Sequence, residues 1–360
     1  MPPTNVHFNG GVNLADAETV MREIATRVPS GVRRIPDGET GDRQQWIWFQ
    51  LGRFWQTPGL EKAGLEDQPD GYEQLPKVRL VPGTDPDHLH WPNLGYADAY
   101  ADSFGIFSRL QKDGVIPTGV QFQVEYPTPL ASINAWVHAE DQPRLEPSYE
   151  RALFADLDAL MARLPHDQIA VQWDVAVEIG ILEGAFDQVA GQGFDEIVAR
   201  LTRCIERAPR DVPVGLHLCY GDYQHRHYKE PESLALQVRL MNRVTSASQR
   251  PVNWIAFTVP QNRRDEAYSA PLGELNVAPE TELDFALVPD HPAQQEAGTT
   301  SEQVRLIDLY LAGRSDWGIC TECGMARAER EEIPVLLDLH HETSPVTASS
   351  ARASPARTQA

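Results

Sequence analysis

Residues 214–222 read Val-Gly-Leu-His-Leu-Cys-Tyr-Gly-Asp. The run Val214–Leu218 is short and apolar, as a parallel strand buried on both faces should be. Seven more runs of this kind are expected to be strands: 6–8, 32–35, 120–124, 169–173, 254–259, 285–288 and 317–319. Helical patterns lie between them. Leu153, Leu157, Leu160 and Leu164 recur at spacings of four, three and four. Phe194, Ile197, Val198, Leu201 and Ile205 repeat the pattern, as do Leu234, Val238, Met241 and Val244. A helix through Val304, Ile307 and Leu311 is expected to open with Thr300 and Gln303 as a capping box. Eight strands alternating with helices predict an α/β fold, a (β/α)8 TIM barrel. The rival is a doubly wound open sheet, but no GxGxxG follows the first strand.

One barrel domain is expected over residues 1–342. Residues 55–95 are rich in Pro, Gly and Asp and form an insertion after the second strand. It reads either as a lid or as a plain surface loop. Residues 343–360 are poor in apolar side chains and are expected to be a disordered tail.

The 360 residues carry 31 Lys+Arg against 52 Asp+Glu, a formal net charge of −21. Phosphate backbones and anionic membrane surfaces repel such a chain, so neither nucleic acid nor membrane is an expected partner. No apolar run approaches the roughly 18 residues of a membrane span. The first twelve residues lack a signal-peptide pattern, so a cytoplasmic, reducing compartment is expected. Four cysteines, Cys204, Cys219, Cys320 and Cys323, are too few for a disulfide-built fold.

His217 and Cys219 are two apart, so on a strand they share a face. Strand C-termini form the mouth of a barrel. There an imidazole and a thiol suit zinc. Cys320 and Cys323 follow the eighth strand, and barrel closure would bring Cys323 to the same rim. The residues alone leave other readings open. A buried cysteine is commonly a small hydrophobe. A CxxC can be a redox pair, although such pairs usually open a helix in a thioredoxin-like unit. Cys204 falls beside an apolar helical stripe and reads as core. His225 and His227 flank Arg226 in a polar loop and read as exposed.

The segments 217–222 (HLCYGD) and 322–327 (ECGMAR) resemble the two zinc-site segments of the cobalamin-independent methionine synthase family. Other segments agree in order. Residues 172–178, QWDVAVE, are similar to the strand whose aspartate contacts the amino-acid substrate. Asp37-Gly38-Glu39, with Arg43, resembles a substrate-binding Gly-Glu turn. Residues 125–129, EYPTP, are similar to a Gly-Pro-x-Thr segment with the Gly replaced. Asp290-His291 resembles an Asp-x-His near the seventh strand. The resemblance covers residues 5–340, the catalytic C-terminal half of the long synthase. Its wider group includes uroporphyrinogen decarboxylase and the zinc-dependent coenzyme M alkyltransferases, and it implies a (β/α)8 barrel. It implies Zn2+ held by His217, Cys219 and Cys323. It further implies substrate contacts from Glu39, Arg43, Asp174 and Tyr220, and catalytic roles for Asp174 and His291. The chain departs from the family at 256–263, AFTVPQNR, where no acid stands for the glutamate ligand. Cys320 stands where the family has no thiol, and it reads either as a fourth ligand or as core.

One imidazole and two thiolates make a neutral zinc site with one position open for a substrate thiol. A bound thiol loses its proton and becomes the nucleophile for a methyl or alkyl group. The expected partners are therefore a small thiol and an alkyl donor. A polyglutamylated donor is disfavoured by the negative charge. Glu178 is expected to be a solvated loop residue or helix cap. Two other functions stay open. One is a metal-independent decarboxylase in which Arg33, Arg34 and Arg43 clamp carboxylates. The other is a non-catalytic barrel with a structural zinc closed by Cys320.

Overall fold

The computed structural model describes residues 3–66, 75–222, 225–311, 313–314 and 316–344. Ten strands occur among them: β1 Asn5–Val6, β2 Arg34–Pro36, β3 Leu60–Glu66, β4 Leu75–Leu80, β5 Gln121–Pro127, β6 Ile169–Val175, β7 Val214–Leu218, β8 Trp254–Phe257, β9 Glu282–Ala286 and β10 Gly318–Cys320. Eight form one sheet in the order β1-β10-β9-β8-β7-β6-β5-β2. Every pairing in it is parallel. The sheet curls until its two edges meet. Val6 bridges Val32 in parallel, and its amide donates to the Gly31 carbonyl at 2.9 Å. This is the arrangement of a TIM-like barrel. Each of the eight strand runs expected from the sequence overlaps one strand of this sheet.

The strands are buried on both faces, but the two faces differ in chemistry. On β5, Phe122, Val124 and Tyr126 alternate with buried Gln123 and Glu125. On β6, Val171, Trp173 and Val175 alternate with Gln172 and Asp174, and on β7 Leu216 and Leu218 alternate with Gly215 and His217. The apolar set packs under helices. The polar set fills the interior and is tied together there. The His7 ring bonds the Gln172 side chain at 2.8 Å, and the Gln172 amide donates to Asp174 at 3.1 Å.

The helices bury the stripes their spacing requires. Phe194–Arg207 turns Ile197, Val198, Leu201, Cys204 and Ile205 inward. Gln142–Met161 does so with Leu145, Leu153, Leu157 and Leu160. Among the described residues, no helix is long and apolar enough to cross a membrane.

Two local expectations are corrected. β9 starts at Glu282 rather than at 285, because its first residues are polar. Glu282 pairs with Arg33 at 2.7 Å and with Arg34 at 2.5 Å. The helix Thr299–Tyr310 has no capping box. Its N-cap is Gly298 at φ 86°, Thr300 bonds the Leu287 carbonyl, and the Gln303 amide donates to Pro260 and Arg263 carbonyls.

The stretch after β2 is more ordered than a plain loop. Three short helical segments, Gly41–Arg43, Trp46–Gln50 and Leu51–Gln56, lead into the antiparallel hairpin β3–β4. Residues 67–74 of the expected insertion lie outside the described residues. The hairpin is fastened to the barrel, since Val78 bridges Val137 and the Lys77 ammonium donates to the Asn134 carbonyl at 2.5 Å. Of the tail expected at 343–360, Thr343 ends the last helix, Ile333–Thr343, and Ser344 bonds the Pro3 carbonyl at 3.0 Å. Residues 345–360 lie outside the described residues.

Candidate metal centre

His217, next to last in β7, stands beside Asp174 of β6 in the parallel ladder. Cys219 follows on the same face. Cys323 comes from the loop after β10, on the far side of the barrel. That loop is held where only a glycine fits. A Cβ on Gly324 would lie 2.6 Å from the Gly11 nitrogen. The result is one cluster: the donor atoms of His217, Cys219 and Cys323 all lie within 4.8 Å of one another. Among the described residues, this is the only group of three or more His, Cys, Asp or Glu donors so gathered.

The imidazole is held from both nitrogens. Nδ1 meets Asp174 Oδ1 at 3.2 Å, and Nε2 meets the Glu322 carbonyl at 3.0 Å. Burial alone would lower the His217 pKa, but the Asp174 hydrogen bond and Cys219 outweigh it and hold it at about 9. The two thiols share a hydrogen bond. Donation from Cys323, together with His217, lowers Cys219, while the same bond and burial raise Cys323. The Gly221 amide also donates to Cys219 Sγ, at 3.3 Å. A buried proton-sharing thiol pair beside an imidazole is a donor set that a soft divalent cation fits, with no charge left over.

The cluster sits in one wall of a cavity at the strand C-termini, lined also by Glu39, Asp174, Trp46, Trp48, Trp136 and Arg327. Trp46 packs on Ala176, Cys219 and Cys323, and its indole N–H donates to Asp174 Oδ2 at 3.3 Å. Glu39 is buried, and burial followed by the charge of Asp174 raises its pKa to about 8. Glu125 is buried beside it, raised by burial, Glu39 and Asp174. Two of the three non-glycine residues with positive φ among the described residues line this cavity, Glu39 at 48° and Trp46 at 53°. For a residue as bulky as tryptophan such a backbone is strained, a condition that concentrates at working sites.

Several residues singled out from the sequence lie elsewhere. Arg43 does not line the cavity. It is buried against Asp37 and over the Tyr100 ring at 4.5 Å. The Tyr220 hydroxyl donates to Glu183 at 2.8 Å, and the residue is not among the cavity lining, because strand alternation turns it away from Cys219. His291 is also outside the lining. Its ring meets His225 edge to face at 4.4 Å, and its Nε2 is buried without a hydrogen-bond partner. Cys320 packs with Ala256 and Ala286 in the interior and is not part of the donor cluster. Arg33 and Arg34 sit at the opposite end of the barrel on Glu282, so they cannot clamp a ligand in this cavity. Glu178 is fully buried rather than solvated, and burial lifts its pKa to about 7. His225 is exposed, but His227 is not a free loop residue. It bonds Glu322 at 2.6 Å and Glu230 at 3.0 Å. Sequence reasoning missed the three tryptophans and Glu322. The Trp46-Ile-Trp48 pair, placed just after the Gly-Glu turn, was the available signal.

No family model matches the chain, and no curated protein matches it in sequence. Solved structures do match it in fold. A B12-independent methionine synthase from Shewanella sp. W3-18-1, in complex with selenomethionine, is 12% identical with a TM-score of 0.61, over 96% of this chain and 98% of that one. A putative vitamin-B12 independent methionine synthase from Listeria monocytogenes is 11% identical with a TM-score of 0.55, over 95% and 98%. At such identities the likeness establishes a methionine-synthase-like barrel fold. Each of those chains is matched almost end to end.

Proposed function

We propose that this chain is a zinc-dependent transferase that activates a small thiol and passes a methyl or alkyl group to it. The observation that carries the reading is the convergence of His217 and Cys219, at the end of β7, with Cys323, from the loop after β10, all donor atoms lying within 4.8 Å of one another. The methionine-synthase-like fold supports it. A bound zinc ion would supply the positive charge that keeps a substrate thiol deprotonated at neutral pH.

The chain's own residues do the rest. Asp174 holds the His217 ring in orientation, as a carboxylate commonly does behind a metal-binding histidine. Glu39 and Asp174 border the space beside the cluster and suit a cationic group of the thiol substrate. Trp46 covers the thiol pair and excludes water from it. Leu75, at the start of β4, also lines the cavity. Cys320 packs with Ala256 and Ala286, apart from the donor cluster, which supports an open fourth position.

X-ray absorption at the zinc edge tests the assignment. The zinc-loaded protein should show two sulfur neighbours and gain a third when a small thiol is added. A shell that does not respond to thiols would mark a structural site and end the transferase reading.

A further inference from the structure

We propose that the alkyl donor taken by this cavity is a methylated onium cation, a sulfonium or a quaternary ammonium. This rests on the transferase reading and names its second substrate class. The first observation is the wall. Trp46, Trp48, Trp136, Phe186 and Tyr228 all line the one cavity that holds the thiol cluster. Aromatic faces attract methylated cations, most strongly where water is excluded. Trp48 and Trp136 meet edge to face, with ring centres 5.1 Å apart and planes at 69°. That is a corner, which suits a rounded onium group, rather than a parallel slot for a flat ring.

The second observation is charge. The lining includes three acids, Glu39, Asp174 and Asp222. Its one Lys or Arg side chain among the described residues is Arg327, which already faces Asp222 at 3.8 Å. Behind Glu39, the buried Glu125 keeps Oε2 without a hydrogen-bond partner. Facing these acids, a cationic donor is favoured over an anionic one, which would find Arg327 already engaged by Asp222.

The transfer balances without a further reactant. The thiol proton leaves to solvent, and the thiolate sulfur forms a bond to the onium methyl carbon. The bond from that carbon to the onium centre breaks, its electron pair stays on the leaving group, and a neutral sulfide or amine departs.

Binding is read with choline and its neutral isostere 3,3-dimethylbutan-1-ol, using quenching of tryptophan fluorescence. Choline should bind at least about tenfold more tightly, in both zinc-loaded and chelator-treated protein, because the cation site is made of side chains. Trp48→Leu should abolish the preference and Trp48→Tyr should keep most of it. Equal binding of the two probes would overturn the proposal. The chelator arm separates the two readings, since loss of the zinc assignment would leave choline binding intact. Deuterated trimethylsulfonium and a small thiol, given to the zinc-loaded protein, should yield a labelled methyl thioether. Choline selectivity without labelled thioether from trimethylsulfonium, or from tetramethylammonium in its place, would overturn the donor assignment.

Discussion

Asp174 is the residue on which most of the site converges. It takes hydrogen bonds from Gln172 and Trp46 and meets the His217 ring at 3.2 Å. Asp174→Asn should keep the fold and lower zinc affinity by about 10- to 100-fold, the usual cost of losing such a partner. Competition with a chromophoric chelator measures it, and unchanged affinity would remove Asp174 from the site. Glu178 gives a separate prediction. Its folded pKa, about 7, lies above the ordinary 4.5 because burial opposes its charge. Folding therefore holds a proton that the unfolded chain releases as pH rises. The group's favourable share is fully present below about pH 4.5 and is lost as pH rises through 7. With 1.36 kcal/mol per unit, that loss is about 3 kcal/mol. Glu178→Gln should remove it. In urea unfolding the variant's stability relative to the parent should rise between pH 4.5 and 8. A constant difference would contradict the assignment. The clustering of His217, Cys219 and Cys323 was legible in the sequence because His-x-Cys on a strand and a Cys after the last strand are local patterns. Trp46 and Glu125 were not. Their roles depend on which loops meet, and that is a property of the closed sheet.

At the scale of elements, every strand of the barrel could be found from its buried run, since both faces of these strands leave solvent. What the runs did not show was the alternation of polar interior and apolar exterior. Gln123, Gln172 and Asp284 are buried within strands and look like interruptions in sequence. This is why β9, with Glu282 and Asp284 at its start, was expected three residues late. The same interior leaves little room. A Cβ on Gly215 of β7 would lie 2.0 Å from the Trp254 ring of β8. Both groups are fixed by the ladder, so Gly215→Ala should destabilise the protein by at least about 3 kcal/mol, at the upper end of overpacking effects. A denaturant midpoint within error of the parent would mean that β7 and β8 are not packed as described.

For the whole molecule, the candidate metal centre draws on segments more than a hundred residues apart, Cys219 after β7 and Cys323 after β10. An ion bound there ties opposite sides of the barrel and stabilises the folded state by mass action. Zinc in excess should raise the unfolding temperature, a chelator should lower it, and Cys219→Ser should abolish both shifts. A zinc effect that survives Cys219→Ser would place the ion elsewhere. The affinity should also weaken as pH falls, because His217, held at about 9, and Cys323, raised by its bond to Cys219 and by burial, must give up protons to act as donors. The most direct test of the account is the metal content of protein purified without added zinc. About one equivalent of zinc per chain is expected, lost in Cys219→Ser and in Cys323→Ser. Less than about a tenth of an equivalent, unchanged when zinc is supplied, would contradict it.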